Sequence, residues 1–282
     1  MATLNSLLRG LFDTLLGPFQ GFSPLVVLIP ISVLTAVFAL LVLKYTSKQE
    51  RLAEIKDHMF AGIFEIRLFN DSMPLIFKAM GTILGNSARY ITLSIWPAMV
   101  IIMIPIIFVI AQLQFHYGYD GFDPGDEILL KVELVAPDGQ ETFETGAPKP
   151  VAALDLPSGI AQETPAVWAP SLSQLAWRLR IEEHGEFEIG ITVDGESVTK
   201  TLDATEVTTR RSPARTDGSF LNQLLYPAES PLPDSSGLAS ISIDYPEASI
   251  PFLLIDWNWL ILYFVLMMIL GFALAKPLGV TV

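Results

Sequence analysis

The chain has no cysteine, only three histidines and few charges, and each shortage removes a class of function. Without cysteine there is no disulfide framework, no zinc–thiolate site and no thiol chemistry, although this alone does not decide the compartment. His58, His116 and His184 are dispersed, and none stands near a nucleophile motif or in HExxH-type spacing. A glycine-rich phosphate loop is also missing. The expectation is therefore a protein that is not an enzyme, with no cofactor and no metal centre. Basic residues are scarce as well: 17 Lys and Arg stand against 30 Asp and Glu, a formal charge of -13. That balance disfavours nucleic-acid binding and a basic face laid on anionic lipid.

What the sequence has instead is apolar residues, 51% of its 282 positions against 17% charged, with a mean hydropathy of +0.48. This is a membrane-protein composition. Roughly 20 helical residues cover a hydrocarbon core of about 30 Å, and uncharged apolar runs of that order occupy 24–43, 91–111 and 257–275. Pro30, Pro97 and Pro105 fall inside them, where neighbouring membrane helices can satisfy the freed carbonyls, so kinks rather than breaks are expected. The loop 44–90 holds seven basic residues (Lys44, Lys48, Arg51, Lys56, Arg67, Lys78, Arg89) against five acids, which makes it cytoplasmic by the positive-inside rule. Segment 112–256 has 24 acids and 8 bases and belongs outside. The reading is multi-pass, with the N-terminus outside and the tail 276–282 in the cytoplasm.

Residues 1–20 lack the basic start and small-x-small cleavage site of a signal peptide. Leu4, Leu7, Leu8, Leu11, Phe12, Leu15, Leu16 and Phe19 repeat at helical spacing, with Asn5, Arg9 and Asp13 opposite. This amphipathic helix is expected either in the outer lipid interface ahead of the first span or packed on the exoplasmic domain. In 44–90, Ser47 and Glu50 have capping-box spacing, and Leu52, Ile55, Met59, Ile63, Ile66 and Phe69 follow at three and four residues. Asn70-Asp71-Ser72 before Pro74 reads as a turn, and Leu75, Ile76, Met80, Ile83 and Leu84 mark a second helix. The pair makes an antiparallel helical hairpin, either a plain two-helix cap or an arm that meets a client or partner through Leu52, Ile55, Met59, Ile63 and Met80.

From Asp126 the period changes to two. Strands are expected over 127–136 (ending at Pro137-Asp138-Gly139), 175–183, 187–193, 197–202 and 238–245, with a hairpin turn at Asp194-Gly195. The Pro-, Ser- and Thr-rich stretches 146–170 and 207–237 read as long loops. A small antiparallel β sandwich fits this pattern. Asp120, Asp123, Asp126 and Glu127 invite a calcium reading, but their spacing is not that of an EF-hand, and acids beside Gly121, Pro124 and Gly125 are what a solvated turn contains.

The run Lys44-Tyr45-Thr46-Ser47, then a helical hairpin, then Leu93-Ser94-Ile95-Trp96-Pro97-Ala98-Met99-Val100 and Ile104-Pro105-Ile106-Ile107, resembles the three-span branch of the YidC/Oxa/Alb insertase superfamily. Archaeal YidC-like proteins, the third subunit of the ER membrane protein complex, and transmembrane and coiled-coil domain proteins belong to that branch. The resemblance covers 24–111 and, more loosely, the third span with Lys276-Pro277-Leu278-Gly279. It implies an insertase-like or chaperone-like protein of a bacterial cytoplasmic membrane, with a three-helix groove lined in its inner half by Thr35, Thr92 and Ser94, and with Arg89 and Lys44 at the cytoplasmic mouth. Its partners would be membrane lipid, client membrane proteins and a ribosome or translocon. Many relatives carry an arginine in the groove, whereas these spans hold no charge, and the minimal members lack a domain like 112–256. The alternative is a non-catalytic scaffold or accessory subunit of a larger membrane complex, docking partners through its exoplasmic β domain.

Overall fold

The computed structural model describes residues 2–46, 49–69, 72–136, 142–144 and 146–280, with side chains for all of these except 2, 49–53 and 93–98. Ser47, the Asn70-Asp71 turn, the Pro137–Gly139 turn and the side chains of Glu50, Leu52, Ser94, Trp96 and Pro97 therefore lie outside the described residues. The elements, in chain order, are α1 (Ala2–Leu16), α2 (Leu25–Thr46), α3 (Gln49–Leu68), α4 (Met73–Tyr117), β1 (Glu127–Leu134), β2 (Ala152–Asp155), β3 (Ile160–Gln162), β4 (Val167–Ala169), β5 (Gln174–Ile181), β6 (Gly185–Val193), β7 (Glu196–Ala204), β8 (Ala214–Thr216), α5 (Phe220–Leu225), β9 (Leu238–Ile243), β10 (Ile250–Phe252), β11 (Ile255–Trp257) and α6 (Trp259–Ala275). Two compact units result: Met1–Val27 with Phe108–Leu262, here the β unit, and Leu28–Ile107 with Tyr263–Val282, here the helical unit.

In the β unit, alternation along the strands builds two antiparallel sheets. One runs β3-β5-β1-β9-β8, with β4 also on β5, and the other runs β2-β6-β7. On β1, Ile128, Leu130, Val132 and Leu134 point inward, and Leu175, Trp177, Leu179 and Ile181 do so on β5. With Ile189, Ile191 and Val193 of β6 and Ile241 and Ile243 of β9 they form one core, so the sheets pack as a sandwich. Each such side chain removed from water contributes roughly 1.5–3 kcal/mol. The β6–β7 turn is Asp194-Gly195, both with positive φ (50° and 93°), as a two-residue hairpin loop requires.

The stretches read as loops are not featureless. Segment 146–170 holds β2, β3 and β4, and 207–237 holds β8 and α5. These strands of three or four residues, set among prolines, are too short for a period-two signal to stand out. A further short hairpin, β10–β11, precedes α6. Strand β5 stops at Ile181 rather than Glu183, and β9 stops at Ile243.

The helical unit contains the expected antiparallel hairpin. Gly62 of α3 faces Ile83 of α4, where a Cβ would lie 2.7 Å from Ile83 Cγ1, so only glycine permits the crossing at this distance. One turn away the Ser87 hydroxyl lies 3.9 Å from Met59 Sδ, and beyond it Lys56 Nζ stands 5.4 Å from the centre of the Tyr90 ring. Position rises on one helix as it falls on the other, which is antiparallel pairing. Helix α4 then continues unbroken through Pro97 and Pro105, as α2 does through Pro30.

Among the described residues, two helical stretches are long and apolar enough to cross a membrane, Leu25–Thr46 (22 residues) and Met99–Tyr117 (19 residues). The second runs past the expected end at Ala111. The third apolar helix begins at Trp259, not Trp257, and its 17 residues fall short of the usual spanning length. Within the helical unit, the ends of α2 and α6 meet at Leu40, Ala275 and Val280.

Candidate functional site

Thr35 and Thr92, both assigned to an inner groove, each donate to a carbonyl of their own helix. Thr35 is buried, donates to the Ile31 carbonyl (2.8 Å) and accepts from the Tyr263 hydroxyl (3.1 Å), so a hydrogen bond between α2 and α6 consumes it. Thr92 is exposed and donates to the Ala88 carbonyl at 2.9 Å. The Ser94 side chain lies outside the described residues. Arg89 is exposed. Lys44 donates to the Leu278 carbonyl (2.9 Å), where it holds the tail after α6. The open hollow between α2 and α6, about 210 Å³, is lined by Ala36, Leu40, Met267, Met268 and Phe272 among others, which are all apolar.

On the hairpin, Ile55 and Met59 are half-buried, whereas Ile63 and Met80 are exposed, each at 46%. A second, outward set was missed: Phe60, Phe64 and Leu68 on α3, and Phe77 and Leu84 on α4, are each at least 59% exposed. The signal was present in the i, i+4 spacing of 60, 64 and 68. It was masked because both faces of α3 are apolar, and only the packing tells which one is turned outward.

Polar chemistry concentrates instead in the β unit, around a cleft of about 580 Å³ whose lining includes Arg9, Arg210 and Arg215 with Glu186, Glu188 and Glu229. Glu229, in its lining, is one half of an ion pair. Lys200 of β7 is fully buried, and its three donors reach Glu229 Oε2 (2.6 Å), the Ser212 carbonyl (2.6 Å) and the Thr201 carbonyl (3.1 Å). Glu229 also accepts from the Thr201 amide and hydroxyl and from the Ser212 hydroxyl, so both charges are satisfied. Burial pushes the Glu229 carboxyl up, but Lys200 and these hydrogen bonds outweigh it and hold the group below its ordinary value. Burial also draws the Lys200 ammonium down, against the raising effect of Glu229.

The roof is α1, attached by its polar face. Asn5 Nδ2 donates to the Gln223 carbonyl (2.6 Å), Arg9 to the Ala228 carbonyl (3.3 Å), and Asp13 meets Arg210 (2.8 Å) and His116 (3.3 Å). Of the two expectations for this helix, packing on the β unit is the one the contacts show, and it is made with the polar side, leaving Leu4, Leu7, Leu11, Leu15 and Phe19 exposed. Burial raises Asp13, but the hydrogen bonds from His116 and Arg210 prevail and leave its carboxyl below the usual range.

Both carboxyls are depressed on folding, so their stabilisation is complete above the ordinary carboxylate range and is lost as pH falls through the lowered values. The β unit should therefore have a lower urea midpoint at pH 3 than at pH 5, with the loss setting in below about pH 4. Tryptophan fluorescence across a pH series would check this, and a midpoint unchanged at pH 3 would contradict it.

Asp123, His184 and Glu206, all exposed, bring one donor atom each within 4.8 Å of one another. His184 Nδ1 lies 3.0 Å from the Ala204 carbonyl and Nε2 lies 3.6 Å from Glu206. Sequence reading had grouped Asp123 with its neighbours Asp126 and Glu127. The fold keeps Asp123 bonded to Asp126, whose carboxylate accepts from the Asp123 amide (2.9 Å), and also sets it beside two residues more than sixty positions away. Neither a protein-family model, nor a curated protein, nor a solved structure matches the chain.

Proposed function

We propose that this protein is a chaperone-like, insertase-like membrane protein that holds hydrophobic segments of other membrane proteins on its helical hairpin during insertion or assembly. In this reading α2, α4 and α6 cross a bacterial cytoplasmic membrane, the hairpin is cytoplasmic and the β unit is exoplasmic. The carrying observation is the outward apolar face at Phe60, Phe64, Leu68, Phe77 and Leu84, left over after the inner face has packed at Gly62, Ala79 and Ile83. At about 1.5 Å per residue, Phe60 to Leu68 carry this face over about 12 Å of α3, and exposed apolar side chains grouped in this way mark an interaction site. The apolar hollow at Met267, Met268 and Phe272 agrees with a path for apolar rather than polar segments. The insertase resemblance of residues 24–111 supports the same reading.

Photocrosslinking from Phe64, Phe77 and Met80 in intact membranes tests it. Adducts with many nascent or short membrane proteins are expected, and their loss is expected when Phe64, Leu68 and Phe77 are all changed to glutamate. A single stoichiometric product independent of ribosomes would refute client handling and favour the second reading, a scaffold or accessory subunit of a larger membrane complex. One observation favours that rival: Thr35 is buried and already bonded to Ile31 and Tyr263 rather than open to a passing chain, while the charged cleft offers a docking place on the β unit.

A further inference from the structure

Three elements of the β unit expose large apolar side chains in groups. They are α1 with Leu4, Leu7, Leu11 and Leu15, α5 with Phe220, Leu221 and Leu225, and the turn joining β10 to β11 with Leu253 and Leu254. Elsewhere on the unit, exposed apolar residues such as Val135, Val151 and Leu172 occur singly along the chain, which is ordinary for any surface.

The turn is the most telling of the three. Phe252 pairs with Ile255, so Leu253 and Leu254 are the two central residues of a tight hairpin, with φ of 51° and 65°. That left-handed geometry calls for Asn-Gly or similar pairs and is disfavoured for side chains such as leucine. Leu254 is nevertheless fully exposed and Leu253 is 76% exposed. A sequence that accepts backbone strain in order to hold two leucines outward in water has a use for them at that point.

The geometry points to a lipid seat: α1, α5 and the Leu253-Leu254 turn rest together in the outer leaflet, so that the β unit is held against the bilayer rather than tethered above it. This rests on the reading that α2, α4 and α6 cross the membrane. Continuity of the chain identifies lipid as the occupant. Helix α1 runs through exposed Phe19 and Phe22 into apolar α2, and β11 leads directly into α6. The elements also meet α4 at one level. Asp13 of α1 reaches His116, Arg210 beside it reaches Gln112, Trp259 at the head of α6 donates to Gln114, and the Ala248 amide, two residues before β10, bonds the Gly118 carbonyl. Positions 112–118 span about 9 Å of helix axis. Helix α5 joins the group through Asn5. The seat also accounts for the shortness of α6: its 17 residues rise about 26 Å against a core of about 30 Å, and a hairpin tip sunk in the interface extends the apolar column. Polar attachment on the inner side of α1 with apolar exposure on its outer side is the arrangement of an interfacial helix.

The absence of cysteine makes the test direct, because a single introduced cysteine is the only thiol. The full chain is placed in nanodiscs of phosphatidylethanolamine and phosphatidylglycerol and labelled with an environment-sensitive fluorophore at Leu7→Cys, Leu221→Cys or Leu254→Cys. Leu34→Cys on the exposed flank of α2 reports on membrane crossing, and Glu196→Cys on the polar β6–β7 turn reports on open water. Blue-shifted emission at the first three sites is expected, with quenching by shallow doxyl lipids and iodide quenching several-fold weaker than at Glu196→Cys. If Leu34→Cys is quenched by deep doxyl lipids while Leu221→Cys and Leu254→Cys are as open to iodide as Glu196→Cys, the seat is refuted and membrane crossing stands. Iodide access at Leu34→Cys refutes the crossing, and the seat with it.

Discussion

Replacing Glu229 with alanine is expected to destabilise the β unit by about 3–5 kcal/mol, because the fully buried Lys200 ammonium loses its counter-charge while keeping its desolvation penalty. The loss is larger than one hydrogen bond, since the same carboxylate also accepts from Thr201 and Ser212. It also reaches the sheet edge. Among the described residues strand β7 pairs only with β6, and its other side is closed by side chains: Glu229 on the Thr201 amide and Arg215 on the Thr199 carbonyl. Such closure keeps an edge strand from pairing with another chain. The double replacement Lys200→Met with Glu229→Leu should recover most of the loss, because two packed apolar groups carry no buried charge. Hydrogen exchange of the core amides of β1 and β5 in detergent reads both values. A single variant as stable as the parent, or a double variant no better than the single, would show that the pair is not what holds β7 to the 212–229 segment.

The β unit was legible where a strand is long and one face is buried. The alternation of Glu127–Leu134 and Gln174–Ile181 survives into the burial pattern because water lies on one side and the shared core on the other. It was illegible where strands are three or four residues long and lean on neighbours distant in sequence, as β3, β4 and β8 do. The hairpin arms were legible for a similar reason, since Ile55, Met59 and Ile66 repeat at helical spacing. Periodicity does not say which of two apolar faces is covered, so Phe60, Phe64 and Leu68 went unnoticed.

The candidate sites divide along the same line. Thr35 was singled out because a hydroxyl in an apolar run is conspicuous, yet its meaning depends on Tyr263, more than two hundred residues away, which makes it a cross-link between helices. Lys200, Glu229 and Arg210 drew no notice because in sequence they are ordinary charges on strands and loops. Only the fold buries Lys200 and lays the polar face of α1 against Arg210. Asn5, Arg9 and Asp13 did stand on one helical face, which was a sign that this side of α1 has a polar partner.

Gly121→Ala should cost about 3 kcal/mol, the second large effect in the β unit, although the substitution adds one methyl group in a loop. A Cβ at Gly121 would lie 2.2 Å from the Thr205 carbonyl oxygen and 2.9 Å from Arg211 Nη2. The first of these is backbone and cannot swing aside. The guanidinium is fixed as well: Arg211 is buried, donates to the carbonyls of Tyr119 (2.9 Å), Thr205 (2.7 Å) and Val207 (2.9 Å), and its own amide donates to Phe115 at the end of α4 (2.7 Å). Arg211 thus ties the segment after β7 to the turn that leaves α4, and Gly121 is where the two backbones come closest. Relief of the clash requires the 205–211 segment to lift, which would break several of these hydrogen bonds together and loosen the Asp203–Thr209 contact beside them. Gly218 is the control, with positive φ absent and nothing within 4 Å of its would-be Cβ, so alanine there should change stability by no more than about 0.5 kcal/mol. Equal hydrogen-exchange protection in the two variants would mean that the 205–211 segment is not clamped against Gly121.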